Sequence, residues 1–387
     1  MTTRLSPSRL TETSPTVTVQ LETMIYGGEA LGRVDGQAIF VTGGLADETV
    51  RVVITERRKN FARGIVTEVL EPSPERVTPR CRHFGFDAEA CGGCHWQHID
   101  YAAQLRFKRD IVREQLARLG KIADAPVRDV IASPQPWAYR NHAQFGLTPD
   151  GQPGFQAAHS HRVIPIDECH IVRPEILDWL LTHQHIAKPD TARIDIRFPP
   201  AAFHVRDAVF QVAPEGFFQV NTSLLDTLVE QVLTKLDLRG GEAVIDAYCG
   251  VGLFTRFIAP LADRVVGIES SRSAIEAARQ NLTEFKHVQF DVGRVEEILP
   301  KLVGRFDAIV VDPPRAGCGQ LVIQTVIDRK IDRVVYVSCD PATLARDARQ
   351  LIESGYRLIE VQPLDMFPQT FHIETVTLFL KSDHAIL

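Results

Sequence analysis

The stretch VIDAYCGVGLFT, residues 244–255, reads as a strand, a tight turn and the first turn of a helix. Val244 and Ile245 suit a buried strand, while Gly250 and Gly252 strip side chains from the turn so that backbone can approach a ligand. The same texture continues from about residue 214 onward: DRVVGIES, SRSAIEAARQNL, HVQFDVG, FDAIVVDPP, DRVVYVSC and ATLARDARQLIESG alternate strand and helix. That alternation predicts a doubly wound α/β sheet of Rossmann-like kind. RLIEVQPLD and ETVTLFLKS follow without a helix between them, which predicts a closing antiparallel hairpin. Glu269 ends the next strand, about 20 residues past the turn, where a carboxylate grips ribose hydroxyls. This fits a dinucleotide or S-adenosylmethionine. The third glycine of the dinucleotide fingerprint is missing, because Phe254 and Thr255 follow Gly252 and Leu253.

Upstream the pattern differs. TVTVQLETM, GQAIFVTGG, ETVRVVITERR and FARGIVTEVLE alternate with period two and are punctuated by glycines, which predicts an OB-like β-barrel. The prolines of LEPSPERVTPRC mark a linker. The expected organisation is a disordered leader over 1–15, a barrel over 16–72, a mixed central domain over 73–212 and the α/β domain over 213–387.

Composition is that of an ordinary soluble globular protein, 387 residues with 44% hydrophobic and 24% charged. No apolar run reaches the roughly 18 residues of a membrane span, and the polar N-terminus lacks the apolar core of a signal peptide. A cytoplasmic protein with no membrane partner is expected. The net charge of −6 argues mildly against nucleic acid as partner. Basic residues nevertheless cluster in the first third, at Arg57, Arg58, Lys59 and Arg63, at Arg76, Arg80 and Arg82, and along LRFKRDIVREQLARLGK.

The chemistry sits at the strand ends. FDAIVVDPPRAG closes its strand on Asp312, and two prolines hold the next residues extended. Enzymes that methylate exocyclic amines place an aromatic residue after such a motif; here Arg315 follows, so amine methylation loses support. DRVVYVSCDPATLARD ends its strand on Cys339 and opens a helix at Pro341. The helix N-terminus is expected to favour thiolate. A thiolate beside a methyl donor has a use on uracil, whose carbon 5 is a poor nucleophile. Addition of sulfur at carbon 6 makes the ring an enolate, and carbon 5 then takes the methyl group. A base must afterwards remove the carbon-5 proton. Glu374, at the start of the last strand, is the candidate, with His372 its competitor. Cys318, just past DPPRAG, would be the nucleophile of a cytosine-C5 enzyme.

Taken together, FFQVN, DAYCGVGLFT, DPPRAG, VSCDPATLARD and DMFPQTFHIETV resemble the RNA 5-methyluridine (uracil-C5) methyltransferase family, across nearly the whole chain. The resemblance implies a class I methyltransferase domain using S-adenosylmethionine, an N-terminal TRAM barrel and RNA as substrate, with 23S rRNA favoured over tRNA and no obligate protein partner. It implies that Gln219, Tyr248, Glu269 and Asp312 contact the cofactor beside Gly250, that Cys339 is the nucleophile and that Glu374 is the base. For Gln219 and Tyr248 the resemblance is the sole warrant. Phe367 is a candidate base-stacking residue and Arg140 a candidate phosphate contact.

Seven cysteines in a reducing compartment point to metal or catalysis. Cys91 and Cys94 form a CxxC, with Cys81 before it and Cys169 far downstream. Four thiolates can hold zinc or an iron–sulfur cluster, and spacing alone does not choose. The resemblance favours a [4Fe–4S] cluster, as in the rRNA-acting members.

Overall fold

The computed structural model describes residues 15–158, 160–186, 193–213 and 216–382; the expected leader, but for Pro15, lies outside them. The chain packs as two compact units. The first comprises 1–107, 135–198 and 367–371, the second 108–134, 199–366 and 372–387. Residues 108–134 and 199–212 therefore group with the α/β sheet, and the contiguous 73–212 segment drawn from sequence texture is divided. Texture reports local elements, whereas a compact unit is defined by what those elements pack against.

In the first unit, β1 (Thr16–Met24), β2 (Ala30–Val34), β3 (Gln37–Thr42), β4 (Thr49–Arg57) and β5 (Phe61–Glu71) close into a barrel of order β1-β2-β3-β5-β4. Closure comes from the antiparallel β1–β4 pair and the parallel β3–β5 pair. Alternate residues point inward, and Val19, Leu21, Val41, Val50 and Val52 are buried, as period-two patterning requires. Helix α1 (Tyr101–Arg118) begins in this unit. Then β6 (His142–Leu147), β7 (Pro153–Gln156), β8 (Val163–Pro165), α2 (Pro174–Thr182) and β9 (Arg193–Arg197) follow, with the sheet ordered β8-β7-β6-β9. Cys169 lies in the core of this part with Phe145, Ile166 and Ile176, and Cys91 and Cys94 pack against it.

After residues 108–134 the second unit continues with the hairpin β10 (Ala202–Val205) and β11 (Ala208–Gln211), then α3 (Leu225–Leu236). The alternation follows: β12 (Ala243–Ala247), α4 (Leu253–Ile258), β13 (Arg264–Glu269), α5 (Arg272–Asn281), β14 (Val288–Val292), α6 (Val295–Ile298), β15 (Ala308–Val311) and α7 (Gly319–Asp328). It ends with β16 (Arg333–Ser338), α8 (Pro341–Glu353), β17 (Tyr356–Leu364) and β18 (Glu374–Lys381). The seven strands are ordered β14-β13-β12-β15-β16-β18-β17. The first five are mutually parallel, and β15 and most of β16 are fully buried, which explains their unbroken apolar runs. The expected hairpin of β17 and β18 is present, but β18 inserts between β17 and β16 and runs antiparallel to both. Among the described residues no helix is long and apolar enough to cross a membrane.

Candidate active site and thiol cavity

Strand order brings the ends of β12, β15 and β16 to one edge of the second unit. At β12 the chain turns sharply: Tyr248, Gly250 and Gly252 have φ of 66°, 55° and 86°. A tyrosine in the left-handed region is strained, and such strain persists where the surroundings over-determine the backbone. A Cβ built on Gly250 meets nothing within 4 Å, so the turn borders open space. The Gly250 amide donates to Glu269 Oε2 at 3.3 Å, and Glu269 Oε1 accepts from the Ser271 amide at 2.7 Å. The end of β13 is thus held beside the turn. Gln219 is buried ahead of the 222–224 turn. Asn221, at the start of that turn, makes no capping bond; its Nδ2 donates to Ser133 Oγ at 3.0 Å.

Asp246, inside β12, is not among the site residues expected from sequence, and an aspartate within an apolar strand is its one local signal. It is fully buried and accepts from Thr255 Oγ1 at 2.5 Å, while its Oδ1 has no hydrogen-bond partner among the described residues. Burial pushes its carboxyl up to about 7. Burial and then the charge of Asp246 raise Asp312 in turn.

Cys339 is the residue after Ser338, the last of β16, and Ser338 pairs with Thr375 of β18. Continuing this antiparallel register one step sets Cys339 opposite Glu374. The two residues, 35 positions apart in the chain, are adjacent on the sheet edge. Glu374 is 3% exposed, and burial, then Asp312, drive its carboxyl well above the usual carboxylate range. Cys339 is half-buried. Burial, then the charges of Glu374 and Asp312, push its thiol up to about 12, with Asp340 adding to the rise and Arg315 opposing it. The expected thiolate-favouring helix end is therefore not met. Asp340 caps α8 with its own carboxylate, and Oδ1 takes the amides of Ala342 at 2.9 Å and Thr343 at 3.0 Å. Those donors are consumed, and a negative charge stands where a positive field was expected. His372, the competing base, has its ring 3.2 Å from Arg315 Nη2. Cys318 is buried, its thiol also raised by burial, and its amide is tied to Asp347 at 3.0 Å. It anchors a loop, in contrast to the edge position of Cys339.

In the first unit, Cys81, Cys91, Cys94 and Cys169 line one cavity of about 210 Å³ together with His83 and His170. The Gly93 amide donates to Cys91 Sγ at 3.4 Å. Desolvation raises all four thiols, to about 11 for Cys81 and about 12 for Cys91. Among the described residues, no three His, Cys, Asp or Glu side chains are placed to hold a single metal ion. Arg140 lines the same cavity, and its Nε donates to the His142 carbonyl at 3.2 Å. Phe367 is half-buried. The basic clusters expected from sequence are largely paired in the fold: Arg58 with Glu56, Arg63 with Glu29, Arg76 with buried Glu48 and Arg82 with Asp167.

The chain matches three known families along its length: the TRAM domain over 14–67, a methyltransferase domain over 244–313 and tRNA (Uracil-5-)-methyltransferase over 291–382. An uncharacterised RNA methyltransferase of Halalkalibacterium halodurans is 35% identical over 93% of this chain and 96% of its own. One from Streptomyces coelicolor is 34% identical over 93% and 92%. The crystal structure of Pyrococcus abyssi tRNA (uracil-54, C5)-methyltransferase in complex with S-adenosyl-L-homocysteine has a TM-score of 0.69 at 25% identity, covering 94% of this chain and 99% of that one. With this barrel, this sheet order and relatives matched from end to end, the chain belongs to the tRNA (uracil-5-)-methyltransferase-like family of TRAM-bearing RNA methyltransferases.

Proposed function

We propose that the protein methylates carbon 5 of a uridine in RNA, with S-adenosylmethionine as donor. The observation that carries this reading is the placement of Cys339 opposite Glu374 across β16 and β18, at the edge that also bears Gly250, Glu269 and Asp312. Gly250, with open space at its Cβ position, and the carboxylates of Glu269 and Asp312 suit a cationic ligand bearing a ribose; Gln219 and Tyr248 are assigned to the same ligand by family resemblance. When bound, that ligand supplies an electrophilic methyl group on a positively charged sulfur.

Cys339 gives up its proton to bulk water and its thiolate adds to carbon 6 of the ring, which leaves carbon 5 electron-rich. After methylation, Glu374 takes the carbon-5 proton, the carbon–sulfur bond breaks and thiolate departs. A carboxyl held above its usual range is a stronger base once ionised, which suits that removal. RNA carrying 5-fluorouridine tests the sequence of steps. Fluorine cannot leave as a proton does, so wild-type protein should form a stable covalent complex and Cys339→Ala should not. Absence of the complex with wild-type protein, when methylation proceeds, would overturn the mechanism.

The family resemblance favours 23S rRNA, whereas the Pyrococcus abyssi neighbour, a tRNA enzyme, favours tRNA. Mass mapping of 5-methyluridine in both RNAs from cells lacking the protein decides. For the thiol cavity we favour a [4Fe–4S] cluster held by Cys81, Cys91, Cys94 and Cys169. A single zinc draws its thiolates to about 2.3 Å from the metal. An iron–sulfur cluster holds its thiolates farther apart, and four thiols lining a cavity of about 210 Å³ leave room for one. Iron and sulfide analysis of anaerobically purified protein tests it; zinc at one equivalent without iron would overturn it.

A further inference from the structure

The loop between β15 and α7 carries Asp312 and Arg315, two of the charges beside Cys339, yet its tip at Pro314, Arg315 and Ala316 is exposed. The groups that hold it lie on other elements. The Cys318 amide donates to Asp347 Oδ2 at 3.0 Å and lies 3.2 Å from the Tyr336 hydroxyl. That hydroxyl donates to the same carboxylate oxygen at 2.8 Å. Arg346 Nε donates to Asp347 Oδ1 at 2.8 Å, and its Nη2 donates to the Ala316 carbonyl at 3.0 Å. Gly317 closes the turn through its amide to the Pro314 carbonyl at 2.8 Å. Its φ is 77°, and a Cβ there would stand 2.6 Å from Arg346 Nη2 and 2.8 Å from Asp347 Oδ2. Glycine is thus required both by conformation and by the closeness of the carboxylate. Asp347 is 2% exposed and Tyr336 0%. Tyr336 lies on β16, three residues before Cys339, and Asp347 lies on α8, whose cap residue follows Cys339 directly. The buried carboxylate therefore ties the exposed turn to the two elements that present the thiol.

We propose that Asp347, with Tyr336, is a positioning residue that clamps the Pro314–Cys318 turn and so keeps the Arg315 guanidinium beside Cys339. The charges that act on the sulfur are Glu374 from β18, Asp312 and Arg315 from the loop after β15 and Asp340 from the start of α8. Three are acids that oppose thiolate, and Arg315 favours it. A turn released from Asp347 leaves the acids of β18 and α8 in place and shifts the backbone that carries Arg315, whose Nη2 also lies 3.2 Å from the His372 ring. The inference deepens the proposed reaction, which takes Cys339 as nucleophile, but its test reads thiol chemistry with no RNA present, so the two fail separately.

The test is peptide-resolved alkylation of Cys339 by iodoacetamide in the full chain between about pH 6.5 and 10, a range that lies below the raised thiol value and rises with thiolate fraction. Arg315→Gln should slow alkylation at pH 8 by about threefold to tenfold, the effect of up to one unit of pKa. Asp347→Asn and Tyr336→Phe should slow it in the same direction, and Arg315→Gln combined with Asp347→Asn should be no slower than Arg315→Gln alone. Sign makes the result diagnostic. Asp347→Asn removes a negative charge, which by itself would speed alkylation, so slowing reports displacement of Arg315. An unchanged or faster rate in folded Asp347→Asn overturns the inference. Should that variant fail to fold by circular dichroism, Tyr336→Phe, which removes one oxygen, decides in the same way.

Discussion

Replacing Glu374 with glutamine should separate the two halves of the proposed reaction. Opposing residues of an antiparallel pair have Cβ atoms about 5 Å apart. At that distance and an effective dielectric of about 20, a carboxylate costs a neighbouring thiolate roughly 3 kcal/mol. Cys339 is only half-buried, and solvent screening reduces this to about 1.4 kcal/mol, or roughly one unit of pKa. Glu374 opposes the thiolate in its ionised form, so replacing it with a neutral side chain acts in favour of thiolate. Alkylation of Cys339 at pH 8 should therefore quicken by up to about tenfold. Turnover should move the other way and fall by about a hundred- to ten-thousandfold, as loss of a general base does. Carbon 5 then keeps its proton, elimination stalls and a methylated covalent protein–RNA complex should accumulate on denaturing gels with ordinary uridine. Slower alkylation would refute the charge reasoning. Normal turnover, or lost turnover with no trapped complex while Cys339 stays reactive, would refute Glu374 as the base.

Two further outcomes rest on buried groups and one on the turn after β12. The Asp246 carboxyl rises from 3.8 to about 7 in the fold, so its contribution to stability is present below about pH 4 and is lost as pH climbs through 7; Asp246→Asn should flatten that decline and raise stability at pH 8 by about 1–2 kcal/mol in urea titrations. Lys108 and Asp365 form a fully buried ion pair at 2.5 Å, so Lys108→Met should cost about 3–5 kcal/mol by stranding the carboxylate, and adding Asp365→Leu should restore most of it. Gly250→Ala meets no protein atom within 4 Å but has φ of 55°; about 1–2 kcal/mol of stability should be lost. Calorimetry with S-adenosylhomocysteine should show binding lost well beyond that amount, because the methyl group enters the ligand's space.

Several elements were legible because their causes are local. Alternation with period two marks the barrel strands, and Gly250 and Gly252 mark the turn that leaves β12. Cys339 was placed at a strand end by the apolar run before it and Pro341 after it. The charge on its thiol was misjudged, because a helix N-terminus is a positive field only while its amides are free, and Asp340 occupies them. Asp347 ends the stretch VSCDPATLARD without a local signature of its role, since helical position says nothing of what a side chain grips. Tyr248 offered no signal, because a left-handed tyrosine is imposed by packing around it.

The order of amino acids by itself determined the elements, the turn chemistry and the family, because each rests on neighbours in the chain or on motifs that local geometry demands. Tertiary structure alone decided that β18 lies between β16 and β17, and therefore that Glu374 stands across from Cys339. Strand pairing is a contest among distant partners, and a shift of one residue would turn Glu374 to the other face of the sheet.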